Sequence, residues 1–251
     1  MKKKSILILV AFLCVLPLFP QKSSETNFEL ITENRNLPAF DAIQVTGRFK
    51  IVLTQGKTQH VSVMAPDKFL ETVETKVENG ILYINMVDLK NETGILENLK
   101  TKYNDYLIRQ PIEIRIDAVN LKNISAKGAS RIESQGTLSA KKFTVELYGA
   151  SKAELNINVS AVDVFLAEAA KTDIKGVTNQ LLVKASGACA FHGSQLFAKD
   201  AKVDLNGASR AEVHTTESLD ANLSGATKLV CSGSPRNIKQ YASRGSSITV
   251  K

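Results

Sequence analysis

A diverged repeat of about 19 residues fills the C-terminal half of this chain and limits the folds open to it. Each copy is anchored on a short triplet of mostly small residues: Gly128-Ala129-Ser130, Gly149-Ala150-Ser151, Glu168-Ala169-Ala170, Gly187-Ala188-Cys189, Gly207-Ala208-Ser209, Gly225-Ala226-Thr227 and Arg244-Gly245-Ser246. A fixed period of roughly 20 to 50 residues is typical of proteins built from stacked units. The sequence therefore predicts a stack of similar coils.

Apolar residues alternate with polar ones on both sides of each anchor, which predicts two short strands per repeat. Upstream of the anchors stand Phe143/Val145/Leu147, Val162/Val164/Leu166, Leu181/Val183/Ala185, Ala201/Val203/Leu205 and Leu219/Ala221/Leu223. Downstream stand Ala153/Leu155, Thr172/Ile174, Ala211/Val213, Leu229/Cys231 and Ile248/Val250. One unit has too few apolar residues to enclose a core, but stacked inward rows make a continuous one. We therefore predict an all-β fold, a parallel β-helix or closely related β-solenoid.

The composition agrees with a long, narrow core. Of the 251 residues, 43% are hydrophobic but only 6% are aromatic, and Trp is absent. The leucine-rich repeat is the competing architecture with a similar period, but its Leu-x-x-Leu-x-Leu pattern and its Asn are missing here. Aliphatic side chains stacked in rows are the better explanation of this composition.

The first 21 residues differ from the rest of the chain. Three lysines at positions 2–4 precede an apolar run from Ile6 to Leu16. This arrangement is typical of a secretory signal peptide, and the apolar run is shorter than a transmembrane helix requires. We predict that residues 1–21 are a signal peptide, and that the mature chain has no transmembrane span. The expected location is the periplasm, the outer membrane surface or the extracellular space.

Charge does not indicate a nucleic-acid partner. Removal of residues 1–21 takes away three lysines and no acid, so the formal net charge falls from +7 to about +4. Proteins that bind nucleic acid usually show a strongly basic domain or a clustered basic patch with a recognised motif. We therefore predict no nucleic-acid partner.

The mature chain is predicted to be a single domain from residue 28 to residue 251. Regular coils occupy residues 119–251, whereas residues 28–118 are rich in strand signals but less regular. No stretch rich in Pro, Gly and Ser separates the two parts. The irregular part is therefore expected to continue the same stack.

Local signals in the irregular part predict several further elements. A copy of the repeat is centred on Gly47, and the stretch from Asp67 to Thr72 predicts one helical turn. An Asn79-Gly80 turn between two β-forming runs predicts a hairpin. The charged segment at 88–109 has few strand features and is expected to be a loop.

The ordered set of motifs resembles a known family. FDAIQVTG ending at Gly47, a following strand that ends in TQG, the ENG-ILYI hairpin and the repeated GAS corners are similar to the head GIN domain family, whose members are named auto-transporter adhesins and are common among exported proteins of Bacteroidetes. The resemblance covers residues 28–251. It implies a right-handed parallel β-helix-like fold and an envelope location, and it supplies no catalytic residues. The chain departs from the pattern at Glu168, where the corner lacks its Gly.

Two outward rows of charge follow the anchors. The basic row, which we call the basic ladder, contains Arg131, Lys152, Lys171, Arg210 and Lys228. Two residues further along each strand lies an acidic row of Glu133, Glu154, Asp173 and Glu212. One interpretation is that the two rows neutralise each other on a solvated face. The other is that the basic ladder binds a linear polyanion such as an acidic glycan, because its cations recur at the strand spacing of about 4.8 Å.

No residue is predicted to be catalytic or to bind a metal or a cofactor. Glycoside cleavage needs two carboxyl groups of different acidity. Glu133, Glu154 and Glu212 each stand two residues from an Arg or Lys, which is expected to hold the carboxylate in a structural ion pair. A platform of stacked aromatics is not expected either, since outward Phe165 and Tyr241 are isolated. The histidines and the cysteines of the mature chain lack metal-ligand spacing: His60, His192, His214, Cys189 and Cys231. The two cysteines are expected to be buried free thiols.

The function predicted from the sequence is that of an exported, non-enzymatic β-solenoid that serves as an adhesin or binding scaffold. A glycan or a surface protein is the expected partner. Two alternatives stay open: a polysaccharide-degrading β-helix enzyme, either a lyase or a hydrolase, and a purely structural envelope module.

Overall fold

The computed structural model describes residues 29–87 and 112–251. The predicted signal peptide at 1–21 and the predicted loop at 88–109 lie outside these residues. Within the described ranges, no helix is both long and apolar enough to cross a membrane.

The described chain is nearly all β-structure, with seventeen strands and one helical turn. The elements are β1 (Leu30–Asn34), β2 (Ala42–Gly47), β3 (Phe49–Gln55), β4 (His60–Pro66), α1 (Asp67–Leu70), β5 (Val73–Glu78), β6 (Ile81–Met86), β7 (Ile112–Ala118), β8 (Asn123–Gly128), β9 (Arg131–Gln135), β10 (Leu138–Leu147), β11 (Lys152–Glu168), β12 (Lys171–Gly187), β13 (Ala190–Gly207), β14 (Arg210–Leu223), β15 (Lys228–Ser232), β16 (Asn237–Ala242) and β17 (Ser247–Val250). The predicted helical turn and the predicted hairpin are both confirmed, as α1 and as the antiparallel pair β5–β6.

The strands form a β-solenoid of about seven turns, with coils about 19 residues apart. Parallel pairing joins each coil to the next, so Lys152 lies beside Lys171 and Val162 beside Leu181. The predicted fold class is therefore confirmed. Strands β11 to β13 are 17 or 18 residues long, because each continues past a position where the pairing skips one residue, which is Ser160 in β11, Asn179 in β12 and Lys199 in β13.

The core consists of the inward rows that the alternation predicted. Val145, Val164 and Val183 lie in one row and Ala153, Thr172 and Ala211 in another, all of them buried. Since every coil contributes a residue at the same height, each inward side chain contacts its equivalents in the two adjacent coils. Deletion of a buried aliphatic side chain from such a row is expected to cost about 2–5 kcal/mol.

The corners stack on one another through backbone hydrogen bonds. The anchors Gly128, Gly149, Gly187, Gly207 and Gly225 all have positive φ, and so does Glu168, with φ 67°. At each level the amide that follows the anchor donates to the carbonyl oxygen of the anchor below, as in Ala150 N to Gly128 O at 2.7 Å and Ala188 N to Glu168 O at 2.6 Å. The corner at Glu168 thus keeps the shape of the others without its glycine.

The stack does not follow the order of the chain at its N-terminal end. Strand β2 lies between β6 and β8, and β3 lies between β7 and β9. The chain forms the coil of β2 and β3, turns outward to build β6 and β7 below it, and then crosses to β8 and β9 above it. Strand β4 pairs antiparallel with β7, β1 pairs antiparallel with β4, and β5 pairs antiparallel with β6. These strands cover the N-terminal end of the stack.

Two glutamine side chains hold this irregular end together. The Gln55 amide donates to the carbonyls of Val119 and Ser139 and accepts from the Ser139 amide. The Gln59 side chain accepts from Phe40 N at 3.1 Å and donates to the Pro38 carbonyl at 2.9 Å. Backbone groups that leave the sheet at the coil ends therefore keep hydrogen-bond partners, as buried backbone requires.

Candidate polyanion-binding face

All five residues of the basic ladder lie in one register row. Pairing of successive strands places Arg131 beside Lys152 and Lys152 beside Lys171. Ala190 takes the next position and interrupts the row, after which Arg210 and Lys228 follow on adjacent strands. At about 4.8 Å per strand, the row from Arg131 to Lys228 extends over about 24 Å. The repeat spacing therefore predicted correctly that these five cations share one row.

The structure adds Lys50 to the N-terminal end of the row. Lys50 pairs with Arg131 in register because β3 lies directly below β9. Its Nζ atom lies 3.0 Å from the Glu113 carboxylate, which also contacts Arg115 at 2.7 Å. Partial burial acts to raise the pKa of Glu113, but hydrogen bonds and charge from Lys50 and Arg115 outweigh it, so this pKa lies below its usual value. The first cation of the extended row is therefore neutralised.

The predicted neutralisation between the two rows is realised only at one end. The Arg131 guanidinium contacts both Glu133, at 2.7 Å, and Glu154. Glu212 has His192 as its partner at 3.8 Å instead of the cation on its own strand. Within residues 29–87 and 112–251, the side chains of Lys152, Lys171, Arg210 and Lys228 form no ion pair. The expectation that each acid is held by the Lys or Arg two residues away was right for Glu133 and wrong for Glu154 and Glu212, whose partners lie on adjacent strands.

The two sides of the basic ladder differ. On one side, about two residues along each strand, lies the acidic row. On the other side lies the corner, where one anchor, Glu168, carries an exposed carboxylate and the residues that follow the anchors are alanines: Ala129, Ala150, Ala169, Ala188, Ala208 and Ala226. Except at Glu168, an anion that approaches over the corner therefore meets the ammonium and guanidinium groups before it meets a carboxylate.

Inside the corner, a column of small buried side chains accompanies the anchors. Ser130 donates to Gly47 O at 3.0 Å, and Ser209 donates to Gly187 O at 3.0 Å. Ser151, in the same column, is buried with no partner for its hydroxyl among the described residues. Residues of this size let the corners approach closely, which fixes the spacing of the cations outside them.

The cysteines and histidines form no site of their own. Cys189 and Cys231 are buried and free, as predicted, and burial raises the pKa of both thiols. Among the described residues, no group of three or more His, Cys, Asp or Glu side chains is arranged to hold a metal ion. Glu133 and Glu154, which are stacked acids, share Arg131 as an ion-pair partner. That contact is typical of a structural carboxylate rather than a general acid.

The family model described as "Putative auto-transporter adhesin, head GIN domain" matches residues 39–235. The chain belongs to this family. The head GIN domain family is thus the one that the motifs around Gly47, Gly80 and the GAS corners indicated. A comparison with curated proteins gives no match.

Solved structures with the same fold come from Bacteroidetes. A putative adhesin from Bacteroides fragilis has 18% identity and a TM-score of 0.75, with 89% of this chain and 96% of that chain covered. A putative lipid binding protein from Parabacteroides distasonis has 15% identity and a TM-score of 0.65, covering 90% and 98%. A putative adhesin from Parabacteroides merdae has 13% identity and a TM-score of 0.59, covering 90% and 97%. At these identities the likeness shows the fold. Neither the family nor these neighbours bear the name of an enzyme.

Proposed function

We propose that this head GIN domain is an exported, non-enzymatic binding scaffold of the cell surface, and that its basic ladder binds a linear polyanion such as an acidic glycan. The observation that carries the proposal is the in-register row in which Lys152, Lys171, Arg210 and Lys228 have no ion-pair partner among the described residues. The adhesin names of the family and of two neighbours support a surface binding role.

The physical basis is multiple weak contacts at a regular spacing. One exposed ion pair contributes about 0 to 1 kcal/mol, so no single cation of the ladder is expected to hold a ligand. A polymer with a carboxylate or sulfate on each residue can contact several cations at once, and the second and later contacts then form at high effective concentration. Because exposed charges are screened over about 8 Å at physiological ionic strength, such binding must weaken strongly as salt is added.

The test uses the mature chain, immobilised polygalacturonate and a neutral galactan as the control polymer. We expect binding to polygalacturonate at low salt, loss of that binding at high salt, and no binding to galactan. The triple variant Lys152→Gln, Lys171→Gln, Arg210→Gln is expected to lose most of the salt-dependent binding to polygalacturonate and to keep its urea midpoint, because exposed charges contribute little to folding.

A matched variant separates the ladder from net charge. Lys184, Lys202 and Lys239 are exposed and lie outside the ladder, so their replacement by Gln removes the same charge elsewhere. This second triple variant is expected to bind nearly as well as the unmodified chain. Equal losses in the two variants, or no binding to polygalacturonate at low salt, would contradict the ladder and favour the purely structural module.

A further inference from the structure

A second outward row lies two residues before the position in each coil at which the strand pairing skips one residue. Ser139, Asn158, Val177, Phe197 and His214 occupy equivalent positions on successive strands. Phe197 is 54% exposed and Val177 is 46% exposed. Phe197 is outward because its neighbours Leu196 and Ala198 are both buried, and side chains alternate along a strand.

The Phe197 ring is held in place although it is exposed. The ring of His214, on the next strand, lies 4.8 Å away between centroids, with an angle of 75° between the ring planes. His214 Nδ1 in turn lies 3.1 Å from Ser232 Oγ, one strand further along. An aromatic side chain with an edge-on neighbour of this kind loses little freedom when a ligand binds to its open face.

A groove of about 410 Å³ runs beside this row. Its polar lining consists of amides and hydroxyls, contributed by Asn158, Ser160, Thr178, Asn179 and Thr216. Lys199 is the one residue with a formal charge among the described residues that line the groove. The volume falls within the range of roughly 300 to 1,000 Å³ found for small-ligand sites.

We propose that Phe197 and this groove form a binding site for one acidic sugar residue, a hexuronate in its pyranose form. The C–H groups of one pyranose face stack on the Phe197 ring, the sugar hydroxyls bond to the amides of Asn158 and Asn179, and the carboxylate faces Lys199. The single positive charge of the lining is complementary to the single negative charge of a uronate.

This site lies further along each coil than the basic ladder. Lys171 and Val177 are six residues apart on β12, which is at most about 20 Å at about 3.3 Å per residue. The inference therefore does not rest on the ladder, and each site has its own variants.

The test is saturation-transfer NMR with trigalacturonate, with the neutral galactose trisaccharide as the comparison ligand. We expect saturation to pass from the protein to the ring protons of one galacturonate residue, and an upfield shift of those protons from the Phe197 ring current. Phe197→Ala is expected to weaken binding about tenfold, whereas Phe197→Tyr keeps it. Lys199→Gln is expected to remove the preference for the acidic over the neutral trisaccharide.

Two controls make the result specific. Phe165→Ala removes another outward ring and is expected to leave the ring-current shift of trigalacturonate unchanged, as is the triple ladder variant. No saturation transfer to trigalacturonate, or equal affinity in the unmodified chain and Phe197→Ala, would overturn the proposal. Self-association in sedimentation that is lost in Phe197→Ala, without sugar binding, would also overturn it and assign the row to a second copy of the chain.

Discussion

A Cβ atom placed on Gly207 would lie 2.8 Å from the carbonyl oxygen of Gly187 in the coil below. This contact is shorter than side chains tolerate, so the approach of the Gly207 corner to the Gly187 corner depends on the missing Cβ. Gly136 provides the matched control, since its φ of +85° is close to the +82° of Gly207, but nothing lies within 4 Å of its Cβ position.

Gly207→Ala is therefore expected to destabilise the fold more than Gly136→Ala. Both changes place a side chain at positive φ, at a cost of about 1–2 kcal/mol, but only Gly207→Ala also pushes two coils apart. The free energies of unfolding in urea should differ by at least about 1 kcal/mol. Similar values for the two variants would mean that backbone conformation alone selects glycine at the corners.

The corner at Glu168 is expected to gain stability from the glycine that it lacks. Glu168 has φ 67°, which costs a residue with a Cβ about 1–2 kcal/mol, while glycine loses about 0.5–1 kcal/mol of unfolded-state entropy. Glu168→Gly should therefore raise the free energy of unfolding by about 0.5–1 kcal/mol. Asp173→Gly, within strand β12, should lower it instead. A lower melting temperature for Glu168→Gly would contradict this account.

Two serines in the buried column of the corners, Ser209 and Ser151, are expected to respond differently to replacement by Ala. Ser209 donates to the carbonyls of Gly187 and Asn206, both at 3.0 Å, and its replacement by Ala should cost about 1 kcal/mol. Ser151 is buried with no partner among the described residues, and Ala170 occupies the same position one coil further on. Ser151→Ala should therefore be neutral or stabilising by about 1 kcal/mol. Equal losses in calorimetry would show that the Ser151 hydroxyl has a partner after all.

The lowered pKa of Glu113 predicts a pH dependence of stability. Because the folded-state pKa lies below the unfolded value, the carboxylate stabilises the fold above the unfolded pKa of about 4.3, and this contribution is lost as the pH falls through the folded pKa. Glu113→Gln should therefore lose less stability between neutral and acidic pH than the unmodified chain. Parallel urea-midpoint curves for Glu113→Gln and the unmodified chain would argue against the Lys50 and Arg115 contacts.

The sequence predicted the regular coils because in-register stacking makes the structural period visible in the chain. Val164 and Val183 are one repeat apart in the sequence and lie side by side, so one alternation repeated at a fixed interval locates the core, the corners and the basic ladder together. The stacking order of β2, β3, β6 and β7 was not predictable in this way. Phe49 pairs with Ile112, which lies more than three repeat lengths further along the chain, and one pairing at such a distance leaves no period to detect.

The repeat spacing in the sequence does not determine the side-chain contacts or the local strand register at the two candidate sites. The pairing of Arg131 with Glu154 on the adjacent strand, in addition to Glu133, depends on the conformations of long, flexible side chains. Phe197 was not among the outward aromatics predicted from the sequence, because two pairing shifts, after Asp173 and after Gly193, change the register of β13 against its neighbours. The step from Gly187 to Gly207 is one residue longer than each of the two steps before it, and this is the signal in the sequence that marks the irregularity.

The position of β2 and β3 between later parts of the chain also has a kinetic consequence. Neighbouring regular coils, such as those of Lys152 and Lys171, close a loop of one repeat, whereas the contact of Phe49 with Ile112 closes a loop more than three times as long. Loop-closure entropy makes the longer contact less favourable by about 1 kcal/mol before any packing compensates. We therefore expect folding to nucleate in the central coils, with the first strands docking late on an edge that is already formed.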